Sequence, residues 1–366
     1  MVDPSAFRPV TFAGLPGWNT DDHAAAFAAF VRSAERVLIK PYRTGSLGVA
    51  CSAFDAAYEE ARSLKQIDRN MARTFFERHF TPCRVTPSPG AASGFVTGFY
   101  EPQVAASPVQ TDRFRYPLLE RPDDLVDVDD ANRPPGMDPY LAFGRRTGGG
   151  IVEYHDREAI ERGALDGKEL EIAWLADPVD VFFIHVQGAA RLVLPDGSMR
   201  RVTYAAKSGQ RFTGAGKVLA ELGEIPLEKV TMQSIRSWFA RHPERVSEIL
   251  WRNRSFIFFR EAPVDDVALG PVAAAKVPLT PGRSMAVDRL LHTFGTPFHI
   301  VAPSLTAFDG KPFQRLMIAQ DTGSAIIGPA RGDLFTGSGD AAGEVAGVIK
   351  HAAEFYALLP KTLLGR

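Results

Sequence analysis

The chain has 366 residues, enough for one or two domains, and its 45% apolar and 23% charged residues are ordinary for a globular protein. The formal net charge of −1 provides no overall positive field, which argues against nucleic acid as a partner, and no stretch is apolar enough to span a bilayer. The eight histidines form no HExxH motif and no cluster with cysteine, so we predict no metal and no other cofactor.

The N-terminal third shows the apolar spacing of helices. We predict one helix capped at Thr20 with Phe27 and Phe30 on its buried face, a second over residues 54–64 and a third over residues 71–80. The two cysteines, Cys51 and Cys83, leave two states open: one disulfide, or two buried thiols.

A β-strand is predicted next, where residues rich in β-formers run from Phe95 to Glu101 and Pro102 ends them. Composition then changes from about Gln103 to Arg260. In that segment we predict strands over residues 181–186, 190–194 and 199–204, followed by a helix pair over residues 232–241 and 243–251.

The segment from Arg315 to Gly339 contains the strongest candidate for a chemical site. A short apolar run leads to Asp321, and a second carboxylate follows at Asp333 among apolar residues and glycines. A strand that ends in Asp and Gly places a carboxylate beside a backbone that a ligand can approach closely. The alternative is that both are turn aspartates that bond their own backbone.

This segment resembles the C-terminal "3D" (three-aspartate) part of the MltA-type membrane-bound lytic transglycosylases, which cleave peptidoglycan. The best local match runs from Gln320-Asp321 through Gly328 to Gly332-Asp333-Leu334-Phe335-Thr336-Gly337. Two further motifs match in the right order, Gly98-Phe99-Tyr100-x-Pro102 and residues 253–259. The resemblance covers roughly residues 90–360.

The resemblance implies a mainly β fold with a helical N-terminal part. Residues 1–102 and 261–366 are expected to form a discontinuous catalytic domain, a double-psi β-barrel with the 3D segment at about 285–360. Residues 103–260 are expected to form an inserted β-rich domain that binds substrate.

The resemblance also implies roles for individual residues. Asp333 is the expected catalytic acid, with Asp321 and Asp309 in support. The expected substrate-binding residues are Thr97, Gly98, Tyr100, Gln187, Lys207, Ser208 and Gly209. Tyr100 is expected to stack on a sugar ring. Glu101 is the nearest second carboxylate, but we do not predict it to be a base.

The expected reaction is cleavage of the β-1,4 bond between N-acetylmuramic acid and N-acetylglucosamine, which leaves a 1,6-anhydro end. One carboxyl, Asp333, serves as both acid and base, and its pKa is expected to be raised by Leu334, Phe335 and Ile326 or Ile327. The partner is the peptidoglycan glycan strand. The family acts in the periplasm, so we expect outer-membrane association, peripheral or as a lipoprotein, with the export signal absent from this sequence.

Two other functions fit parts of the sequence. Asp321-Thr322-Gly323-Ser324 spells the DTGS of aspartic proteases, but we find no second segment of that type, and that chemistry requires two carboxylates. A cell-wall-binding module without catalytic activity is the third hypothesis.

Overall fold

The computed structural model describes residues 3–64 and 66–364, and the chain divides into two units. The first unit combines Met1–Tyr100 with Asp266–Arg366, and Glu101–Asp265 forms the second, which we call the inserted unit because the first surrounds it in sequence. Both units contain helices and sheets, so the predicted mixture of strands with N-terminal and mid-chain helices is confirmed.

The elements below are numbered in chain order. The α-helices are α1 (His23–Arg36), α2 (Asp55–Leu64), α3 (Arg69–His79), α4 (Arg157–Ala159), α5 (Pro178–Gln187), α6 (Ala215–Glu221), α7 (Met232–Arg241), α8 (Val246–Leu250) and α9 (Asp340–Val348). The strands are β1 (Phe7–Pro9), β2 (Phe80–Val85), β3 (Gly94–Glu101), β4 (Gln103–Ser107), β5 (Tyr116–Leu119), β6 (Leu125–Asp127), β7 (Phe143–Thr147), β8 (Gly150–Val152), β9 (Glu171–Leu175), β10 (Ala189–Val193), β11 (Met199–Lys207), β12 (Ile257–Ala262), β13 (Ser284–Val287), β14 (Pro297–Ala302), β15 (Phe313–Asp321), β16 (Arg331–Ser338) and β17 (Lys350–Pro360). Within the described part of the chain, none of the helices has the length and apolarity needed to cross a membrane.

The three predicted N-terminal helices are confirmed, with one change at the start of the first. Asp22 caps α1 by accepting a hydrogen bond from the Ala25 N–H at 3.2 Å, so the helix begins at His23 rather than after Thr20. Its neighbour Asp21 is buried and forms an ion pair with Arg283 at 2.8 Å. This pair joins the chain before α1 to the residue that precedes β13. In the same unit, Cys51 and Cys83 are buried free thiols.

The sheet of the first unit has the strand order β1-β2-β17-β14-β15-β13-β16-β3. Strand β17 also pairs with β3, from Lys350 opposite Thr97 to Ala353 opposite Gly94. Our sequence prediction missed β17. Its apolar C-terminal half resembles a buried helix as much as a strand, and the pairing with three other strands settles its conformation.

The inserted unit contains a sheet of order β12-β11-β10-β4-β9-β5 and a smaller one of order β6-β7-β8. The strand predicted over residues 181–186 is wrong, because these residues lie in α5. Asp177 caps this helix by accepting from the Val179 N–H at 2.8 Å, Pro178 occupies its first position, and Gly188 ends it with φ 77°. The helix is buried on most sides, so its sequence lacks the amphipathic period that marks an exposed helix.

Candidate active site

Asp321 and Asp333 lie on either side of one residue of the sheet, Ala286. Ala286 on β13 lies opposite Asp321 on the parallel strand β15 and opposite Asp333 on the antiparallel strand β16. Residues that face each other across neighbouring strands project from the same side of a sheet. The two carboxyl groups therefore share one face, on backbones about 10 Å apart, which is two strand spacings.

An extra residue in β15 aims Asp321 at this face. Met285 pairs with Ala319, but the next residue, Ala286, pairs with Asp321, so Gln320 is inserted between them. Its buried side chain is held by the Ala29 carbonyl at 2.7 Å and by the Ser284 hydroxyl at 2.6 Å. Without this insertion Asp321 would project from the opposite face, because a shift of one residue reverses every side chain of a strand.

Asp333 is held by a side chain from β3. The Thr97 hydroxyl donates to Asp333 Oδ1 at 2.5 Å, and Arg331 Nη2 donates to the same Thr97 oxygen at 2.7 Å. Our sequence prediction named Thr97 as a substrate contact and did not name Arg331. The available signal was spacing: Arg331 lies two residues before Asp333, and residues two apart on a strand share a face.

Burial raises the pKa of Asp333 above its ordinary value, while the Thr97 hydrogen bond and the positive charge of Arg331 lower it. The direction of the predicted shift is confirmed. Of the apolar neighbours expected to cause it, Leu334, Phe335 and Ile326 are buried, but Ile327 is 74% exposed. A carboxyl with a raised pKa retains its proton closer to neutral pH, which is the state that an acid catalyst requires.

Burial also raises the pKa of Asp321, to about 6, and repulsion from Asp333 acts in the same direction. Hydrogen bonds from the backbone N–H groups of Thr322 and Ala274, the latter at 3.1 Å, and the charge of Lys276 lower it. The site thus contains two carboxyl groups whose pKa values burial raises, and the charge of Asp333 adds to the rise at Asp321.

Asp309 does not join this pair. It lies in the turn before β15, whereas Asp321 is the last residue of that nine-residue strand, about 27 Å further along. Asp309 is exposed, and it accepts from Arg315 Nη2 at 2.9 Å and from the Lys311 N–H at 3.1 Å. Asp309 thus lies at the other end of β15 from the two aspartates, and its position does not support the predicted role.

Gly98 and Tyr100 of β3 pack against α9. A Cβ atom on Gly98 would lie 2.7 Å from Ile349 Cδ1 and 2.9 Å from Ala346 Cα, and a Cβ atom on Gly343 would lie 2.8 Å from the Tyr100 ring. Tyr100 is only 6% exposed. The ring therefore contributes a packing contact, and the expectation that it stacks on a sugar is corrected, because α9 covers it.

The Gly98 contact gives a testable consequence. Gly98→Ala is expected to lower the free energy of unfolding by about 1–3 kcal/mol, because the added methyl group forces α9 away from β3. Gly14→Ala is the matched control, because an added Cβ atom there meets only an ordinary contact, 3.6 Å from the Thr11 hydroxyl oxygen. Equal destabilisation of the two variants in urea unfolding would contradict the packing argument.

Gln187, Lys207, Ser208 and Gly209 lie in the inserted unit. Gln187 ends α5, and Lys207 ends β11 with its Nζ 5.3 Å from the Tyr140 ring centroid. Burial lowers the pKa of Lys207. Ser208 is fully buried and its hydroxyl accepts from the Phe256 N–H at 3.1 Å, so its side chain supports the fold.

Glu101 is a buried ion-pair residue. It is 0% exposed, its Oε2 accepts from Arg191 at 2.8 Å, and its Oε1 accepts from Arg201 at 2.5 Å. Both carboxylate oxygens therefore accept from guanidinium groups, and the side chain serves as the centre of a buried ion-pair cluster. The geometry agrees with leaving Glu101 out of the catalytic assignment.

Two carboxyl groups with raised pKa values on one face of a sheet are an arrangement that acid–base chemistry can use. Comparison with known families gives two matches. The MltA specific insert domain matches residues 95–260, and the 3D domain matches residues 283–359.

Similar proteins extend the match over the whole chain. A crystallised membrane-bound lytic murein transglycosylase from Agrobacterium tumefaciens is 50% identical with a TM-score of 0.93, over 99% of both chains. Escherichia coli MltA with bound chitohexaose is 25% identical with a TM-score of 0.71, over 98% of this chain and 96% of that one. This chain therefore belongs to the MltA-type family of lytic transglycosylases, and the predicted resemblance is confirmed.

One curated relative matches over a shorter length. Membrane-bound lytic murein transglycosylase A of Vibrio cholerae is 35% identical over 208 residues. The match covers 55% of this chain and 55% of that protein, so it spans about half the length of the curated relative.

Proposed function

We propose that this protein is a peptidoglycan lytic transglycosylase that cleaves the β-1,4 bond between N-acetylmuramic acid and N-acetylglucosamine. The observation that carries the proposal is Asp333, a partly buried carboxyl with a raised pKa held by Thr97, within the segment that matches the 3D domain. Its relatives are named lytic murein transglycosylases, and the Escherichia coli relative was crystallised with bound chitohexaose.

Asp333 serves in turn as acid and base. Its proton passes to the bridging O4 while the bond from C1 of the muramic acid to O4 breaks, and the N-acetylglucosamine leaves as an alcohol. The resulting carboxylate then takes the proton of the C6 hydroxyl on the same muramic acid, whose oxygen bonds to C1. The product is a 1,6-anhydro ring, no water is consumed, and Asp333 is protonated again for the next cycle.

Asp321 supports this cycle as a second carboxyl on the same face of the sheet. Burial and the charge of Asp333 raise the pKa of Asp321, which favours its neutral form beside the carboxylate that Asp333 becomes after the first proton transfer. Asp321 lies across Ala286 from Asp333. It is not required for either proton transfer, because a single carboxyl suffices for both, so its role is to support Asp333. A hydrolase would usually require two carboxyl groups in acid and nucleophile or base roles.

The first unit is proposed to form the double-psi β-barrel of the family. Supporting this, β17 pairs both with β14 and with β3, so the strands β3, β16, β13, β15, β14 and β17 pair in a cycle. The inserted unit is proposed to bind the glycan, with Gln187 and Lys207 as hydrogen-bonding residues. The names of its relatives place them at a membrane, and we propose a periplasmic enzyme associated with the outer membrane.

The geometry argues against the aspartic protease alternative. That chemistry requires two carboxyl groups about 3 Å apart that share a proton. Here β13 lies between the strands that carry Asp321 and Asp333, which places their backbones about 10 Å apart.

Mass spectrometry of the fragments released from purified peptidoglycan sacculi tests the proposal. Muropeptides one water lighter than the hydrolytic products are expected. Ordinary reducing ends would indicate a hydrolase instead, and release of no fragments at all would favour the wall-binding module. Cleavage of a peptide substrate that a transition-state peptide inhibitor stops would restore the protease.

A further inference from the structure

Arg331 is held rigidly beside the candidate acid. Its side chain projects from the same face of β16 as Asp333, and its guanidinium lies over the Phe95 ring at 5.4 Å. Nη1 donates to the Gly332 carbonyl, and Nη2 donates to the Thr97 hydroxyl oxygen at 2.7 Å. These contacts fix the guanidinium against both β16 and β3.

The direction of each hydrogen bond follows from the groups involved. A guanidinium has only donors, so the Thr97 oxygen must accept from Arg331. A hydroxyl has one proton, and with Arg331 occupying an acceptor position that proton points to Asp333 Oδ1. Oδ1 is therefore an acceptor whether Asp333 is protonated or ionised.

We propose that Arg331 is a positioning residue that acts through Thr97 to keep Asp333 Oδ1 as a permanent acceptor, which leaves Oδ2 as the oxygen that delivers and recovers the catalytic proton. The proposal rests on the proposed function of Asp333 as the single acid and base. It identifies the oxygen that exchanges the proton with the substrate, and it makes an arginine outside the predicted site part of the proton-transfer geometry.

The charges around Asp333 fit this arrangement. Arg331 faces it from its own strand, Asp321 faces it from β15 with Lys276 beside that carboxyl, and Thr97 from β3 is uncharged. The charge of Arg331 favours the carboxylate that exists after the first proton transfer. Arg331 thus stabilises the carboxylate that exists between the two proton transfers. Thr97 holds Oδ1, so both transfers take place at Oδ2.

A double-mutant cycle tests whether Arg331 acts through Thr97. Arg331→Gln and Thr97→Val are each expected to lower kcat by about 10–100-fold with KM changed less than about twofold, because orientation is lost and substrate binding is not. The double variant is expected to be no slower than Thr97→Val alone, since the two residues act in series. Thr97→Ser keeps the hydroxyl and is expected to retain most of the activity.

Independent losses that multiply in the double variant would overturn the proposal, as would a rise in KM for Arg331→Gln, which would make Arg331 a substrate contact. Thermal unfolding of each variant checks that it is folded, and Arg331→Lys tests the guanidinium separately because it keeps the charge but not the planar fork. Arg8→Gln, which removes an exposed arginine on β1, is the matched control. Titration of the Asp333 carboxyl by ¹³C NMR adds a readout that is independent of activity. Its pKa is expected to rise in Arg331→Gln and in Thr97→Val, and an unchanged pKa in both would also overturn the proposal.

Failure of the proposed function looks different. Release of ordinary reducing ends by the wild type would remove the transglycosylase assignment, whereas the carboxyl titration would still report whether Arg331 and Thr97 hold Asp333.

Discussion

Asp333→Asn is expected to reduce the release of anhydro-muropeptides by at least about a thousandfold, because one group supplies both proton transfers. The substitution preserves shape, and the asparagine Oδ1 can still accept the Thr97 hydroxyl at the position of the carboxylate oxygen. Folding and glycan binding are therefore expected to persist. What is lost is the proton on the other oxygen, and an amide supplies none of comparable acidity.

Mass spectrometry of digested sacculi measures this effect, with Asp309→Asn as the matched control. Asp309 carries the same chemistry in an exposed turn paired with Arg315, so its variant is expected to cleave at close to the wild-type rate. A reduction of less than tenfold for Asp333→Asn would mean that another group donates the proton. Equal losses in the two variants would also remove the assignment of Asp333.

Much of this site could be predicted from residues near one another in sequence. The apolar run that leads to Asp321 and the β-forming residues from Phe95 to Glu101 indicate strands, and Asp333 lies in the best-matching family segment. The participants were therefore available from local pattern and family resemblance. The pairing of both aspartates with Ala286 could not be predicted from the sequence. It depends on which strands become neighbours, and on the inserted residue Gln320.

The misassigned elements share a physical cause. In α5 the apolar residues lie on most sides of the helix, and in the C-terminal half of β17 they form one continuous run. Neither segment therefore shows the period that distinguishes helix from strand. Tyr100 was misjudged for a related reason. An aromatic residue on a strand beside a cleft motif can face either a ligand or its own fold, and α9, which covers it, was itself not predicted.

Asp321→Asn is expected to stabilise the protein at alkaline pH. The folded-state pKa of Asp321 is raised from 3.8 to about 6, so the ionised carboxylate penalises the folded state above that pH, and the penalty is absent below the unfolded-state value. The rise of the pKa from 3.8 to about 6 corresponds to up to about 3 kcal/mol at pH 8, falling below about 1 kcal/mol at pH 4. Asparagine is neutral throughout and can still accept from the Ala274 N–H.

The same substitution is expected to leave the pH profile of activity close to that of the wild type. Repulsion from Asp333 raises the pKa of Asp321, whereas burial, Thr97 and Arg331 set the pKa of Asp333, so a neutral side chain at position 321 is not expected to move the alkaline limb of kcat/KM. A change of less than about threefold is expected at pH 5 and at pH 8. Loss of activity at every pH would instead make Asp321 a direct participant, and unchanged stability at pH 8 would mean that its carboxyl titrates normally. The expected combination, higher stability with little change in activity, follows from one partly buried carboxylate whose ionisation the fold disfavours.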